Sequence, residues 1–206
     1  MSERAAISAE FERLLDQILA EPDRSEELTA ALHARFSRRK AILVLDMCGY
    51  SRTTQQRGIV TFLLMIRRMR HICEPCFREH DGELVKANAD DLFYSFDSAS
   101  AAVTAAREAH RRIVAANRAH PTEDHLFCAI GIGFGDVLSL GSDLHGMEVN
   151  LASKLGEDIA RDGQILLTVA ARAAIDGAML STREAKTSIS GLELTYHEVA
   201  TREEEV

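Results

Sequence analysis

The sequence predicts an α+β fold with a ferredoxin-like βαββαβ core and an N-terminal helical extension, on three observations. Strand-like and helix-like runs alternate as β-α-β-β-α-β between Ala41 and Gly135. The first 38 residues hold no strand-like run. The composition, 206 residues with 46% hydrophobic, 27% charged, 12 Gly and 3 Pro, fits one globular domain plus an extension and excludes disorder, collagen or a low-complexity scaffold.

Taken in order, Phe11, Leu14, Leu15, Ile18 and Leu19 recur at helical spacing until Glu21-Pro22 interrupts them. A second helix over 25–36 places Leu28, Leu32 and Phe36 on one face. The pair is read as a lid on the core or as a surface for a second subunit or partner. Arg38-Arg39-Lys40 marks the boundary, giving an extension over 1–38 and a main domain over 39–206. The run AILVL from Ala41 reads as a buried strand that delivers Asp46 at its tip. After Gly49 a helix is expected from Thr54 to His80, with Val60, Leu63, Leu64 and Ile66 inside and Arg67, Arg68 and Arg70 outside, kinked or ended near Pro75. GELVKANADDLFYSF reads as a hairpin turning tightly at Ala89 to Asp91. Asp97 or Ser98 caps an alanine-rich helix that His120-Pro121 ends. LFCAIGIGFG is the fourth strand. A helix over 147–160, a strand QILLT, a short helix AARAAI and a last strand LELTYHEV follow. Two helices cover one face of such a sheet, so the other must be covered by later chain or by another subunit.

With 24 Lys and Arg against 32 Asp and Glu, the formal charge of -8 disfavours nucleic acid and anionic lipid as partners. The longest nearly apolar stretch, Ile59 to Ile66, is far below the roughly 20 residues of a membrane span. The first residues show no secretory pattern, so a cytoplasmic location is expected. The four cysteines, Cys48, Cys73, Cys76 and Cys128, are too few and irregular for a disulfide framework and read as free thiols.

Asp46 and the hairpin acids Asp90 or Asp91 come from neighbouring strands, so their carboxylates converge at one sheet edge. Carboxylates without clustered His or Cys favour Mg²⁺ or Mn²⁺ over Zn²⁺, and such ions take further ligands from phosphate and water. A nucleoside triphosphate is the natural guest. Asn150 and Lys154 stand four apart on one helix and reach a single point, an amide and a cation suited to charge building on phosphorus.

Three stretches, AILVLDMCGYSR, GELVKANADDLFYSF and DLHGMEVNLASKL, resemble in order and spacing the three main motifs of the class III nucleotidyl cyclase catalytic domain. The likeness spans about residues 40 to 199. It implies that Asp46 and Asp90 are the metal-binding aspartates, with Asp91 as second choice, and that the Met47 carbonyl is a further ligand. Two Mn²⁺ or Mg²⁺ ions per site are implied. Lys86 and Asp143 match the base-recognising positions. Asn150 matches the asparagine that orients ribose and phosphate, and Lys154 stands where the family usually carries an arginine. The resemblance also implies a homodimer with each active site shared, the aspartates from one chain and Lys86, Asp143, Asn150 and Lys154 from the other. The family's usual triphosphate cations are replaced here by Ala129 and by Ser190-Gly191, which leaves Arg52 and Lys186 as substitutes by position.

Lys86 beside Asp143 offers a donor next to an acceptor, which adenine, cytosine and uracil can all answer. The compact chain, the short connection to DLHG, Tyr50 and the KANADD hairpin look most like bacterial pyrimidine cyclases of antiphage signalling, whose cyclic nucleotide activates a separate effector. Tyr50 would shorten the pocket or bond a pyrimidine carbonyl. UTP is favoured because uracil alone of the two pyrimidines carries an N3-H for Asp143. The expected activity is therefore conversion of UTP to 3′,5′-cyclic UMP and pyrophosphate. The rivals are an ATP-specific adenylyl cyclase and a nucleotide-binding dimerisation module without turnover. A zinc site at His71, Cys73 and Cys76 fails on geometry, because those residues do not share a helix face.

Overall fold

The computed structural model describes residues 3–49, 57–140, 143–189 and 192–200. Its central strand is β1 (Ser37–Met47), in which Ala41, Ile42, Leu43, Val44 and Leu45 are all fully buried. An unbroken apolar run of this kind is what a strand covered on both faces requires. β1 pairs antiparallel with β3 (Asp91–Phe96) on one side and with β4 (Cys128–Ser139) on the other. The sheet order is β2-β3-β1-β4-β6-β8-β7, with β2 (Glu83–Asn88), β6 (Ile165–Thr168), β7 (Thr182–Ile189) and β8 (Leu192–Val199); the two-residue β5 (Leu144–His145) adds to the end of β4. The core β1-α3-β2-β3-α4-β4 has the expected βαββαβ order, with α3 (Ile59–Glu79) and α4 (Ala99–Asn117) as its helices.

Period-two alternation divides the sheet into two faces. Leu43, Leu45 and Met47 of β1, with Leu92, Tyr94 and Phe96 of β3, pack under α3 and α4. Ile42, Val44 and Phe93 face the other way and are met by Val149 and Ala152 of α5 (Met147–Ser153). The second face is thus covered over β1 by later chain, one of the two covers the sequence allows.

Several local expectations need correction. β1 starts at Ser37 and pairs there with Leu138, so Arg38, Arg39 and Lys40 are strand residues, and a division after residue 38 falls inside β1. In α3 the buried stripe is Phe62, Met65, Ile66, Met69, Cys73, Cys76 and Phe77. Val60, Leu63 and Leu64 are instead exposed, at 67%, 55% and 64%. The N-terminal stretch IVTFLLMI is apolar all round and cannot set its own phase; the downstream stripe does. Nor are Arg68 and Arg70 both on an outer side, since Arg68 donates to the Asp124 carbonyl and Arg70 to that of Ala89. The helix runs through Pro75, and the Cys76 thiol donates to the Ile72 carbonyl at 3.1 Å. Strands β5 and β7 were not expected. All four cysteines are free.

Ser98 caps α4, its Oγ accepting from the Ala101 amide. At the other end of α4, buried Asn117 accepts from the Leu126 amide and donates to the Leu126 carbonyl, both at 2.8 Å. This side chain pairs both backbone groups of Leu126 where the chain enters β4. Asn117→Ala strands two buried polar groups and should cost about 2 to 3 kcal/mol, read as a lower urea midpoint with unchanged m.

The extension forms α1 (Glu3–Ala20) and α2 (Ser25–Phe36), joined by a short turn at Pro22–Arg24. Leu28, Leu32 and Phe36 are buried as their spacing predicts. Among the described residues, no helix is long and apolar enough to cross a membrane.

Candidate active site

Asp46 lies one residue before the end of β1, on the face of Ile42 and Val44. Asp91 opens β3, on the face of Phe93. The register Leu45↔Leu92 carries Asp46 up against Asp91, and the two carboxyls share a hydrogen bond. Burial, then the charge of Asp90, pushes Asp46 up to about 6. Burial, then the charges of Asp46 and Asp90, pushes Asp91 up to about 7. Of the two hairpin acids, Asp91 touches Asp46, while Asp90 sits in the turn and acts on both through its charge. Met47 buries its side chain under α3 and α4, so only its backbone can serve the site.

The turn itself is strained. Ala89 has φ of +43°, a left-handed conformation that costs a residue with a Cβ about 1 kcal/mol, and Arg70 Nη2 holds its carbonyl at 2.8 Å.

On the same face, Lys86 of β2 pairs with Phe93; its Nζ lies 4.7 Å from the Phe93 ring centroid and 2.9 Å from Asp143 Oδ1. Asp143 also accepts from the Leu144 amide at 2.8 Å. Burial alone would raise this carboxyl, but the Lys86 and Leu144 bonds outweigh it and hold it below its ordinary value. Asp143 is therefore an ionised acceptor. The sequence reading missed Glu157, whose carboxyl is raised by burial and then by Asp91, and which feels Lys86 in the opposite sense. Its signal was its place three residues beyond Lys154.

Asn150 lies on α5, and Lys154 opens the π-helical turn Lys154–Ile159 that continues it; the Lys154 amide donates to the Asn150 carbonyl, one turn back. Three glycines bring this segment onto the sheet. A Cβ on Gly131 would strike the Ala152 carbonyl, one on Gly133 the Glu148 carbonyl, and one on Gly156 the Val44 carbonyl. Glu148 then locks the helix, accepting from the Phe134 amide at 3.1 Å and from Thr168 Oγ1 at 2.6 Å. Lys186 is exposed on β7, with three strands between it and β1, so the fold does not bring it to the acids of its own chain. Ala129 is buried in a cluster with Leu155 and Leu166. Tyr50, Arg52 and Ser190-Gly191 lie outside the described residues.

Two oxygen-only carboxyls, each raised above the ordinary carboxyl value by burial and repulsion, fit a hard divalent cation whose charge would relieve that repulsion. Among the described residues no three His, Cys, Asp or Glu side chains form a ready-made ligand set. Backbone carbonyl, water and phosphate would have to complete the shell.

No protein-family model matches the chain. It is 32% identical over 128 residues to "Putative adenylate cyclase 3" of Rhizobium meliloti (strain 1021), covering 62% of this chain and 22% of that protein. The chain thus spans about a fifth of that relative's length. Among solved structures it is similar to an adenylate/guanylate cyclase/hydrolase from Silicibacter pomeroyi, with a TM-score of 0.67, 23% identity, and coverage of 80% of this chain and 98% of that one. The adenylyl cyclase CyaB from P. aeruginosa gives a TM-score of 0.67 at 18% identity, covering 80% and 96%. The chain has the fold of the adenylyl/guanylyl cyclase catalytic domain.

Proposed function

We propose that this protein is a nucleotidyl cyclase that converts UTP to 3′,5′-cyclic UMP and pyrophosphate, working as a homodimer with sites shared between chains. The observation that carries the reading is that a chain of cyclase fold presents on one sheet face both halves that a site shared between two chains needs, the paired acids Asp46 and Asp91 and the ion pair of Lys86 with Asp143. Asp46, with Asp90 or Asp91 and the Met47 carbonyl, would hold Mn²⁺ or Mg²⁺. Bound there, the ions would make the ribose 3′-hydroxyl more acidic and neutralise the departing pyrophosphate.

This chain's own groups do the rest. Asn150 would orient the ribose and the α-phosphoryl group so that the 3′-oxygen stands in line with phosphorus. Lys154 would stabilise charge on the α-phosphoryl oxygens; as an ammonium it offers a point charge where a guanidinium would offer a planar fork. Ionised Asp143 suits the uracil N3-H, and Lys86 the neighbouring carbonyl. Tyr50 and Arg52 would complete the substrate contacts, the phenol closing the pocket toward a pyrimidine. The likeness of the motifs to pyrimidine cyclases supports a role in bacterial antiphage defence, with the cyclic nucleotide read by a separate effector.

A second reading, ATP as substrate, is favoured by the Rhizobium meliloti relative. Adenine N1 and its 6-amino group would answer Lys86 and Asp143 equally well.

Sharing of the site is tested by mixing two inactive variants, Asp46→Ala and Asn150→Ala. Random exchange makes half the dimers mixed, each with one intact site, so activity should return to about a quarter of wild type. A mixture as silent as its components would contradict the shared site.

A further inference from the structure

The extension packs away from the main core. Phe11 of α1 and Leu32 and Phe36 of α2 form a separate cluster with Leu140, and Leu138 packs against it. Phe11 meets Phe36 edge to face, with centroids 5.3 Å apart. It also stacks on the imidazole of His145, with centroids 6.3 Å apart and planes 6° from parallel.

Leu140 and His145 bracket Asp143. The Leu140 amide donates to the Asp143 carbonyl at 3.0 Å, and His145 pairs with Leu138 across β5 and β4. The Asp143 side chain is 37% exposed and is held by Lys86 and by the amide of Leu144, in a strand, β5, of only two residues. Its backbone is anchored by Leu144, buried in the cluster of Val44 and Val149, and by Leu140 and His145, which side chains of α1 and α2 hold. Contacts therefore run from the cluster of Phe11 through Leu140 to the Asp143 carbonyl, and from the Asp143 side chain to Lys86.

We propose that the N-terminal helical pair positions Asp143 for reading the nucleotide base, with Phe11, Leu140 and His145 as positioning residues. The inference rests on the base-reading role given to Asp143 above. The paired acids and the α5 residues belong to parts of the fold built on the two larger clusters, as does Leu144, whereas Leu140 belongs to the cluster of the helical pair. Loosening the clamp should therefore act on nucleotide affinity and base choice, and leave the chemical step largely intact.

The test uses the full chain. Phe11→Ala should raise the nucleotide KM and shift the UTP-to-ATP ratio of kcat/KM by about 3- to 30-fold, with kcat at saturating nucleotide and Mn²⁺ within about twofold of wild type. His145→Ala, which removes the stack and the imidazole's charge near Asp143 but leaves the helical cluster packed, should reproduce the shift; His145→Phe, which keeps a stacked ring without that charge, and Phe11→Tyr, which keeps the ring, should not. If Phe11→Ala fails to fold, His145→Ala carries the test alone. A fall in kcat with KM and base ratio unchanged would show a merely structural contact and overturn the proposal. Hydrogen exchange gives a readout free of activity: the Leu140 and Leu144 amides should exchange faster in His145→Ala, while those of β8 do not change. A wild type that forms no cyclic product sinks the proposed function itself. Unchanged exchange at Leu140 and Leu144 sinks this inference on its own.

Discussion

If Asp46 holds the metal as proposed, Asp46→Ala should lower cyclic nucleotide formation by about 10³-fold or more, because the metal-assisted stabilisation lost with one ligand is worth several kcal/mol of barrier. The same position makes an opposite statement about stability. Asp46 and Asp91 titrate near 6 and 7 in the folded chain, above the ordinary carboxyl value of 3.8. Between those limits the folded protein holds protons that the unfolded chain has released. Their favourable contribution is therefore complete below about pH 4 and disappears as pH rises toward 7. Metal-free wild type should lose thermal stability across that window. Asp46→Asn removes the repulsion and should flatten the loss, giving a variant that melts higher than wild type at pH 7.5 without metal and gains less from Mn²⁺. Melting curves at pH 5 and pH 7.5, with and without Mn²⁺, check this. A variant less stable than wild type at pH 7.5 would contradict the repulsion account.

Gly131→Ala should cost about 3 kcal/mol and abolish the proposed cyclisation. Its Cβ would meet two backbone groups, the Ala152 carbonyl and the Gly156 amide, and neither can rotate out of the way. The strain is relieved only if α5 lifts from β4, which carries Asn150 and Lys154 with it. Gly135 makes the control. A Cβ there meets Glu148 Cγ at 2.9 Å, part of a side chain that can shift, so Gly135→Ala should cost less than about 1.5 kcal/mol. Urea midpoints for the two variants decide the matter, and equal midpoints would contradict the packing argument.

The parts of this fold written in local pattern were legible in the sequence. The run Ala41 to Leu45 announced a strand buried on both faces, and the tight turn at Ala89 and Asp90 announced a hairpin that returns its acids to Asp46. What failed was written in tertiary context. β7, reading TREAKTSI, carries no apolar alternation because it lies at the sheet edge, paired among the described residues with β8. The start of α3 is apolar on every side, so its exposed Val60, Leu63 and Leu64 could not be told from its buried Phe62 and Met65 without the rest of the stripe. Glu157 stands three residues beyond Lys154, but spacing along the helix could not show that burial and Asp91 raise its carboxyl. The contact of Phe11 with His145 joins residues 134 apart in sequence, with nothing local to mark it.

The most direct test of the central claim is to incubate the purified protein separately with UTP, CTP, ATP and GTP, with Mn²⁺ and then Mg²⁺, and to identify the products by mass spectrometry. The account predicts cyclic UMP and pyrophosphate from UTP, lost in Asp46→Ala. Cyclic AMP as the main product would contradict the base assignment, and the absence of any cyclic nucleotide would contradict the enzyme.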